Sequence, residues 1–321
     1  MISPSFQEVL ERIRNDTSSG AAEIAYQVLD AMQAEGIESS SLSRQEHLQH
    51  LLDCAKLLLE THPEMAVLDS VLREFLTGVK NQFSKGEGMI DQLEAIQAVN
   101  RSLLRDLRQR ENQAAANLAS YLENYEVIMT LSWSSTVYHS FIKIMQNSGV
   151  QAKKIIVAES RPLLEGQALA VKLAKLGYRV ELIIDAAIGR YISKAEIAVC
   201  GADSVLADGS ILNKVGTYPL ALSCADQPKA IPFVIAATTT KFSYRSLKEN
   251  YSPVIREKPP EEILEDWETK GIIPRNEYFE FVSAELISVL ITEQGIITSE
   301  IGEKVKQTLQ KRFFSPLEWD D

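Results

Sequence analysis

The chain has 321 residues, of which 45% are hydrophobic, so it can bury a sizeable core in one large domain or two ordinary ones. Acidic residues outnumber basic ones by 44 to 33, which gives a net charge of -11. This balance argues against broad nucleic-acid binding, which requires a basic face. It is compatible with a small anionic ligand held by a few local cations and backbone N–H groups.

The sequence predicts no cofactor, metal ion or membrane contact. No apolar run reaches the roughly 18 residues of a membrane span, and the N-terminus lacks a signal-peptide core, so we expect a cytoplasmic protein. Cys54, Cys200 and Cys224 lie far apart and form no CxxC motif, which argues against a disulfide framework or metal site. His47 and His50 are three residues apart on a predicted helix, and we interpret them as part of a solvated face.

Residues 1–122 are predicted to form a helical domain. Apolar residues recur at spacings of three and four, which is the period of a helix with one buried face. The predicted helices are Phe6–Ile13, Gly20–Met32, Ser43–Glu60, Pro63–Phe83 and Gly88–Leu122.

Residues 123–321 are predicted to form an α/β domain with a parallel sheet, because short apolar segments alternate with helical ones. The predicted strands are Tyr125–Thr130, Lys154–Ala158, Arg179–Ile184, Glu196–Cys200, Ser204–Ala207 and Ile231–Ala236. Ligands of such sheets lie at the carboxyl ends of the strands. The segments just after the strands should therefore share one polar rim: Leu131–Ser135, Glu159–Pro162, Asp185–Ala187, Gly201–Asp203 and Thr238–Lys241.

Several rim residues have the chemistry of a phosphate site. Arg161 and Lys214 are cations suited to phosphate oxygens. Ser134 and Ser135 follow a strand and open a helix, where free N–H groups and the helix dipole favour an anion. Asp203 is the residue best placed for proton transfer.

Each of these residues also has a purely structural interpretation. Asp203 would brace its own loop. Arg161 would pair with Glu159 or Glu165. The Asn213–Lys214 pair would be a solvated turn.

Four segments together resemble a known family. Gly201–Thr217 reads GADSVLADGSILNKVGT, and it is accompanied by AESRPLLEG at Ala158–Gly166, IPFVIAATTTKF at Ile231–Phe242 and LISVLITEQGIIT at Leu286–Thr298. This combination resembles the initiation factor 2B alpha/beta/delta subunits, a family that also includes isomerases of ribose 1,5-bisphosphate and methylthioribose 1-phosphate. The resemblance implies an N-terminal helical domain and a Rossmann-like domain that dimerises, so we expect a homodimer or a higher homo-oligomer.

The resemblance also implies which residues bind a phosphorylated sugar or nucleotide. These are Gly201, Asn213, Lys214, Gly216 and Thr217, together with Arg161. Glycine at position 216 allows close backbone approach at the start of the predicted helix.

Two departures from the isomerases concern their chemistry. The isomerases of this family use a Cys and an Asp for proton transfer; the resemblance places the Asp at Asp203, but the Cys position is Ser132. An alkyl hydroxyl has a pKa several units above the roughly 8.5 of a thiol and needs a base beside it. Their phosphate-binding Arg corresponds to Ser19.

We therefore predict an initiation-factor-2B-like protein that binds a sugar phosphate or nucleotide at the rim without isomerase turnover. Two alternatives stay open. One is an aldose–ketose isomerase that uses Asp203 together with Ser132 or another group. The other is a dimerisation scaffold without a ligand.

Overall fold

A computed structural model describes residues 2–17, 19–84, 89–148, 153–245 and 255–312. These residues divide into two compact units, within Met1–Arg110 and Lys311–Asp321 and within Glu111–Gln310. In the part of the chain so described, no helix combines the length and the apolar character needed to cross a membrane.

The first unit is helical, as the sequence predicts. Its helices are α1 (Pro4–Arg14), α2 (Ala21–Glu38), α3 (Arg44–Leu59), α4 (Ala66–Phe83) and the first part of α5 (Met89–Leu122). The predicted start of the last helix, Gly88, lies outside the described residues. Helix α2 packs against α1, α3 and α4, and its apolar face is fully buried. The ends are set by local chemistry: Ser43 caps α3 in a reciprocal pair with Glu46.

The solvated face predicted for His47 and His50 is wrong. His47 is fully buried, and its Nδ1 lies 2.8 Å from Oε1 of Gln92 on α5. The His50 side chain is only 11% exposed, and its Nε2 lies 2.6 Å from Oε1 of Glu35 on α2. His47 and most of His50 are buried with the apolar side chains of α3, and each imidazole has a polar partner that offsets part of the cost of burying it.

The second unit contains two sheets. Its strands are β1 (Val127–Leu131), β2 (Lys154–Ala158), β3 (Arg179–Ile183), β4 (Ile197–Cys200), β5 (Ser204–Leu206), β6 (Ile211–Lys214), β7 (Phe233–Ala236), β8 (Phe242–Ser243), β9 (Phe279–Val282), β10 (Val289–Thr292) and β11 (Gly295–Ile297). The larger sheet has the order β11-β10-β7-β4-β1-β2-β3. All of its neighbouring strands are parallel except β10 and β11, which pair antiparallel. The smaller sheet has the order β8-β5-β6-β9.

The strand predicted at Ser204–Ala207 does not belong to the parallel sheet. It forms β5 of the smaller sheet and pairs antiparallel with β6. The connection is a tight turn in which Asp208 Oδ1 accepts from the N–H of Ser210, 2.9 Å away, and Gly209 has a φ of +86°. An Asp-Gly pair between apolar segments is a hairpin signal, and here it overrides the alternation of strands and helices.

Further helices follow β1 in the chain. They are α6 (Ser135–Ser148), α7 (Glu165–Lys175), α8 (Ile188–Tyr191), α9 (Thr217–Ala225) and α10 (Ile301–Arg312). Two of them, α6 and α7, supply side chains to the core of the larger sheet. Phe141 of α6 is fully buried among Ile155, Val157 and other apolar side chains of the strands. The Tyr178 hydroxyl donates to the Phe141 carbonyl across 2.7 Å, so the polar atom of the tyrosine side chain has a hydrogen-bond partner within this core.

Candidate functional site

The loops after β1, β2, β4 and β6 meet at the carboxyl end of the larger sheet. The N–H of Ser132 donates to Oγ of Ser160 over 2.7 Å and so ties the first loop to the second. Gly201 lies so close to Ser134 that a Cβ atom at position 201 would stand 2.6 Å from its Oγ. A Cβ at Gly216 would stand 3.9 Å from Cδ2 of Leu131. The order β4-β1-β2 in the sheet accounts for this meeting of distant segments.

Two serines of these loops have strained backbones. Ser132 has a φ of 58° and Ser160 a φ of 64°, in the left-handed region that side chains other than glycine rarely adopt. Asp185, after β3, accepts from the N–H groups of Ser160 and Arg161, each 2.8 Å away. The carboxylate of Asp185 thus holds the second loop in place, and its role at the rim is that of a brace.

Ser134 and Ser135 lie at the start of α6. The Ser134 Oγ accepts from the N–H of Val137 at 3.4 Å, and Ser135 is the first residue of the helix. Such a helix start carries N–H groups and a dipole that favour a negative charge. The structure therefore places these two serines at the rim, next to the loop of Gly201.

Arg161 is exposed and does not pair with the neighbouring carboxylates. Its guanidinium donates to the carbonyl oxygen of Glu262 over 3.1 Å. Glu159 instead accepts from the side-chain amide of Gln167 at 3.2 Å. Because a single carbonyl contact uses only part of the guanidinium's donor capacity, Arg161 retains donors for an anion.

Lys214 is buried, with 9% of its side chain exposed, so it does not form the solvated turn. Its Nζ lies 2.6 Å from Oε1 of Glu165 and 4.5 Å from the centre of the Tyr278 ring. The Tyr278 hydroxyl donates to the Glu262 carboxylate over 2.6 Å. Burial, and after it Glu262, raises the pKa of Tyr278 above its usual range, so it stays a hydrogen-bond donor.

One atom of this network is unsatisfied. Oε2 of Glu165 is buried and has no hydrogen-bond partner among the described residues. A buried acceptor left without a donor costs free energy, about 1–3 kcal/mol in typical cases. Such an atom indicates either a bound water or a ligand group that donates to it.

Asn213, Gly216 and Thr217 shape the loop between β6 and α9. The Asn213 side-chain amide donates to the hydroxyl of Thr217 over 2.9 Å. Gly216 has a φ of +102°, a conformation that favours glycine. Its N–H and that of Tyr218 donate to Oε1 of Glu280, at 2.6 and 2.8 Å. The start of α9 thus already holds the carboxylate of Glu280. Burial raises the pKa of Glu280, whereas the backbone N–H donors, that of Tyr218 first, lower it.

Asp203 lies next to a lysine that the sequence analysis did not single out. Nζ of Lys241, after β7, donates to the carbonyl of Ala202 over 2.7 Å. Burial lowers the pKa of Lys241, and the charge of Asp203 is the strongest opposing influence. The signal in the sequence was the polar segment after β7, which places a lysine at the same rim as the aspartate.

None of the three cysteines presents a thiol at the rim. All of them are free and buried. Cys200, the last residue of β4, has its pKa raised by complete burial, so its thiol stays protonated. Ser132, directly after β1, carries a hydroxyl instead and is 7% exposed.

The helical unit contains an open depression near the position of the isomerases' arginine. The N–H of Ser19 donates to Oδ1 of Asp16 over 2.9 Å, and Asp16 lines the depression, whose volume is about 640 Å³. Its other lining residues are Arg12, Asn15, Glu23 and Gln27.

The protein thus belongs to the class in which a helical region precedes a mostly parallel α/β domain with a polar rim at its strand ends. The sequence pattern of the Initiation factor 2 subunit family matches residues 17–299. The chain belongs to this family.

Relatives of two kinds align over most of the chain. It is 29% identical over 300 residues to a ribose 1,5-bisphosphate isomerase of Thermococcus kodakarensis, covering 90% of each chain. It is 30% identical over 290 residues to a putative translation initiation factor eIF-2B subunit 2-like protein of Pyrococcus abyssi, covering 90% of this chain and 95% of the relative. Overall similarity therefore does not separate the enzyme from the factor.

Solved structures share the fold. The translation initiation factor eIF-2B of Pyrococcus horikoshii superposes with a TM-score of 0.77 at 26% identity, over 93% of this chain and 98% of that one. The 5-methylthioribose 1-phosphate isomerase of the same organism gives 0.74 at 22% identity, over 96% and 87%. A chain of the tetrameric eIF2B-beta2-delta2 complex of C. thermophilum gives 0.73 at 15% identity, over 96% and 94%. The predicted fold class is thus confirmed.

Proposed function

We propose that this protein binds a phosphorylated sugar or nucleotide at the rim of its larger sheet and does not turn it over as an isomerase. The observation that carries the proposal is Oε2 of Glu165, which has no partner in the part of the chain that the structure describes and whose companion oxygen is paired with buried Lys214. A sugar hydroxyl is a neutral donor of the right kind for this atom. Phosphate oxygens, in contrast, would be repelled by the carboxylate.

The phosphate group of such a ligand would bind at a different place, near Arg161 and the start of α6. Arg161, which is exposed, has donors left for an anion, and the start of α6 at Ser134 and Ser135 favours negative charge. A ligand with an anionic end and a hydroxyl-bearing end fits this arrangement better than free phosphate does. Asn213, Gly216 and Thr217 hold the loop that carries Lys214, so their part in binding is indirect.

The absence of turnover follows from Ser132. Aldose–ketose isomerisation moves a proton between two adjacent carbons of the sugar and needs a group that gives and takes protons near neutral pH. A serine hydroxyl does so only with a base beside it. The buried thiol of Cys200 does not replace it, since burial keeps that thiol protonated.

We expect ribose 1,5-bisphosphate, methylthioribose 1-phosphate or AMP to raise the melting temperature of the protein more than inorganic phosphate at equal concentration does. A ligand that binds only the folded state stabilises it by mass action. Arg161→Ala should lower the apparent affinity about tenfold or more, since a lost charged hydrogen bond is worth about 1.5–3 kcal/mol. Lys175→Ala, which removes an exposed cation of α7, is the matched control. Mass spectrometry of the same samples should find no product.

Two outcomes would contradict this proposal. Product that disappears in Asp203→Asn would establish the isomerase instead. If no phosphorylated sugar or nucleotide changes the melting temperature, the remaining alternative is a dimerisation scaffold without a ligand.

The isomerase is a second candidate because Asp203 is retained beside the ammonium of Lys241. In this alternative Asp203 accepts the proton from one sugar carbon, and Ser132 or a water molecule gives a proton to the neighbouring carbon. Asp203 then passes its proton to that donor, which restores both groups.

We also propose that the α/β unit associates with a second copy, giving a homodimer or a larger homo-oligomer. Large apolar side chains are exposed on this unit: Val171 on α7, Leu182 and Ile184 at the edge strand β3, and Tyr218 and Leu222 on α9. Surfaces of this kind mark interaction sites when they are contiguous. Light scattering should give at least twice the 35.8 kDa of one chain; a monomer at micromolar concentration would contradict the proposal.

A further inference from the structure

Three side chains in the helical unit bring together the ligand atoms of a transition-metal site. His50 and Cys54 are four residues apart on α3, which places them on one face of the helix. Glu35 comes from α2, which packs against that face. One ligand atom from each residue lies within 4.8 Å of the other two.

The arrangement around His50 centres on a single nitrogen. Its Nε2 lies 2.6 Å from Oε1 of Glu35 and 3.8 Å from Sγ of Cys54. A proton on this nitrogen can be donated well to only one of the two neighbours. A metal ion among the three atoms would contact all of them. Tetrahedral zinc, with bonds of about 2.0–2.3 Å, holds its ligands roughly 3.5 Å apart, so Glu35 and His50 would separate by only about 1 Å.

The three groups are withdrawn from water. Glu35 is 2% exposed and Cys54 is fully buried, whereas the His50 side chain keeps 11% exposure and leaves a short path from solvent. Glu35 accepts from the N–H and hydroxyl of Ser3, at 3.2 and 2.5 Å. Within the described residues, no lysine or arginine lies at salt-bridge distance from Glu35, and its basic neighbour is the imidazole of His50. A buried carboxylate with so little positive charge nearby is costly, and a divalent cation would offset that cost.

We propose that Glu35, His50 and Cys54 bind one divalent transition-metal ion, Zn²⁺ being the best match. A thiolate with an imidazole and a carboxylate selects zinc over the hard cations Mg²⁺ and Ca²⁺, which prefer oxygen ligands only. Three protein ligands leave the fourth tetrahedral position to water. From the spacing of the cysteines and histidines we expected no metal site, because that spacing does not include Glu35, which belongs to a different helix.

Binding must displace the proton of the thiol. Burial, and after it the charge of Glu35, raises the pKa of Cys54 to about 12 in the metal-free protein. Metal ligation deprotonates cysteine, so the affinity should increase as the pH rises. The site would tie α2 to α3, and occupancy would stabilise the helical unit.

Cobalt(II) titration of the full-length protein, pretreated with chelator, tests the site. We expect one Co²⁺ per chain, a sulfur-to-cobalt charge-transfer absorption in the near ultraviolet and the visible bands of a tetrahedral ion. Zn²⁺ should then displace the cobalt. Cys54→Ser should abolish the charge-transfer band, whereas Cys224→Ser, which removes a buried thiol of the α/β unit, should leave it unchanged.

A second variant covers the case in which Cys54→Ser does not fold. Glu35→Gln keeps the shape of the side chain and should weaken Co²⁺ binding at least tenfold while the thiolate band survives at saturation. The proposal is overturned if the unmodified protein gives no charge-transfer band. It is equally overturned if the band persists in a folded Cys54→Ser variant, or if Zn²⁺ raises the melting temperature of Glu35→Gln as much as that of the unmodified protein.

Discussion

Ser132→Cys is expected to increase the conversion of ribose 1,5-bisphosphate by about 100-fold or more over the unmodified protein. The thiol has a pKa of about 8.5 and transfers protons near neutral pH, whereas the serine hydroxyl needs a base beside it. A positioned acid–base group typically contributes about 10²–10⁴-fold to the rate. The backbone that carries this side chain is already positioned, because the Ser132 N–H donates to Ser160 Oγ and the residue directly follows β1.

The gain should require Asp203. Ser132→Cys combined with Asp203→Asn is expected to return turnover to the background, since one member of the proton-transfer pair is lost. Ser223→Cys on α9 adds a thiol away from the predicted proton-transfer pair and serves as the control for unspecific thiol chemistry. Product is measured by mass spectrometry over time. An unmodified protein that converts the substrate as fast as Ser132→Cys would refute the idea that the missing thiol limits this chain.

Local signals in the sequence determine much of the fold. The strand predicted at Lys154–Ala158 is found with the same bounds, and β1, β3, β4 and β7 of the larger sheet begin and end within two residues of the predicted bounds, whereas β10 and β11 were not predicted. The correctly predicted strands are short, apolar and bounded by helical segments, so their type and limits follow from neighbouring residues alone. The sheet predicted for β5 is wrong, because the sheet that a short strand joins depends on its partner strands, and those are distant in sequence.

The candidate site shows the same division. Because parallel strands end on one edge, the sequence predicts a shared rim that includes Arg161 and Asp203. It does not identify the Glu165 and Tyr278 contacts of Lys214, because nothing in local spacing relates residues 165, 214 and 278. The proposed metal site was missed for the same reason: its third member, Glu35, is contributed by packing of a second helix.

Gly166→Ala is expected to destabilise the α/β unit by about 3 kcal/mol or more, at the upper end of the cost of overpacking a core. A Cβ atom at position 166 would lie 1.9 Å from the carbonyl oxygen of Ala158 and 2.9 Å from the carbonyl carbon of Glu159. Both are backbone atoms at the end of β2, so no side-chain rotation relieves the clash. Helix α7 would have to move away from the strand, and Glu165, the partner of Lys214, lies in its first turn.

The measurement is urea unfolding followed by tryptophan fluorescence, with Gly189→Ala as the matched control. A Cβ at Gly189 in α8 would find its nearest neighbour, Ser223 Oγ, at 3.7 Å, which is ordinary contact. This control should be neutral or should stabilise the protein by up to about 1 kcal/mol, because alanine is the better helix former. Equal stability of Gly166→Ala and the unmodified protein would contradict the close packing of α7 on β2. If Gly166→Ala folds but binds no phosphorylated sugar, while Gly189→Ala binds normally, the position of Glu165 would be tied directly to the ligand.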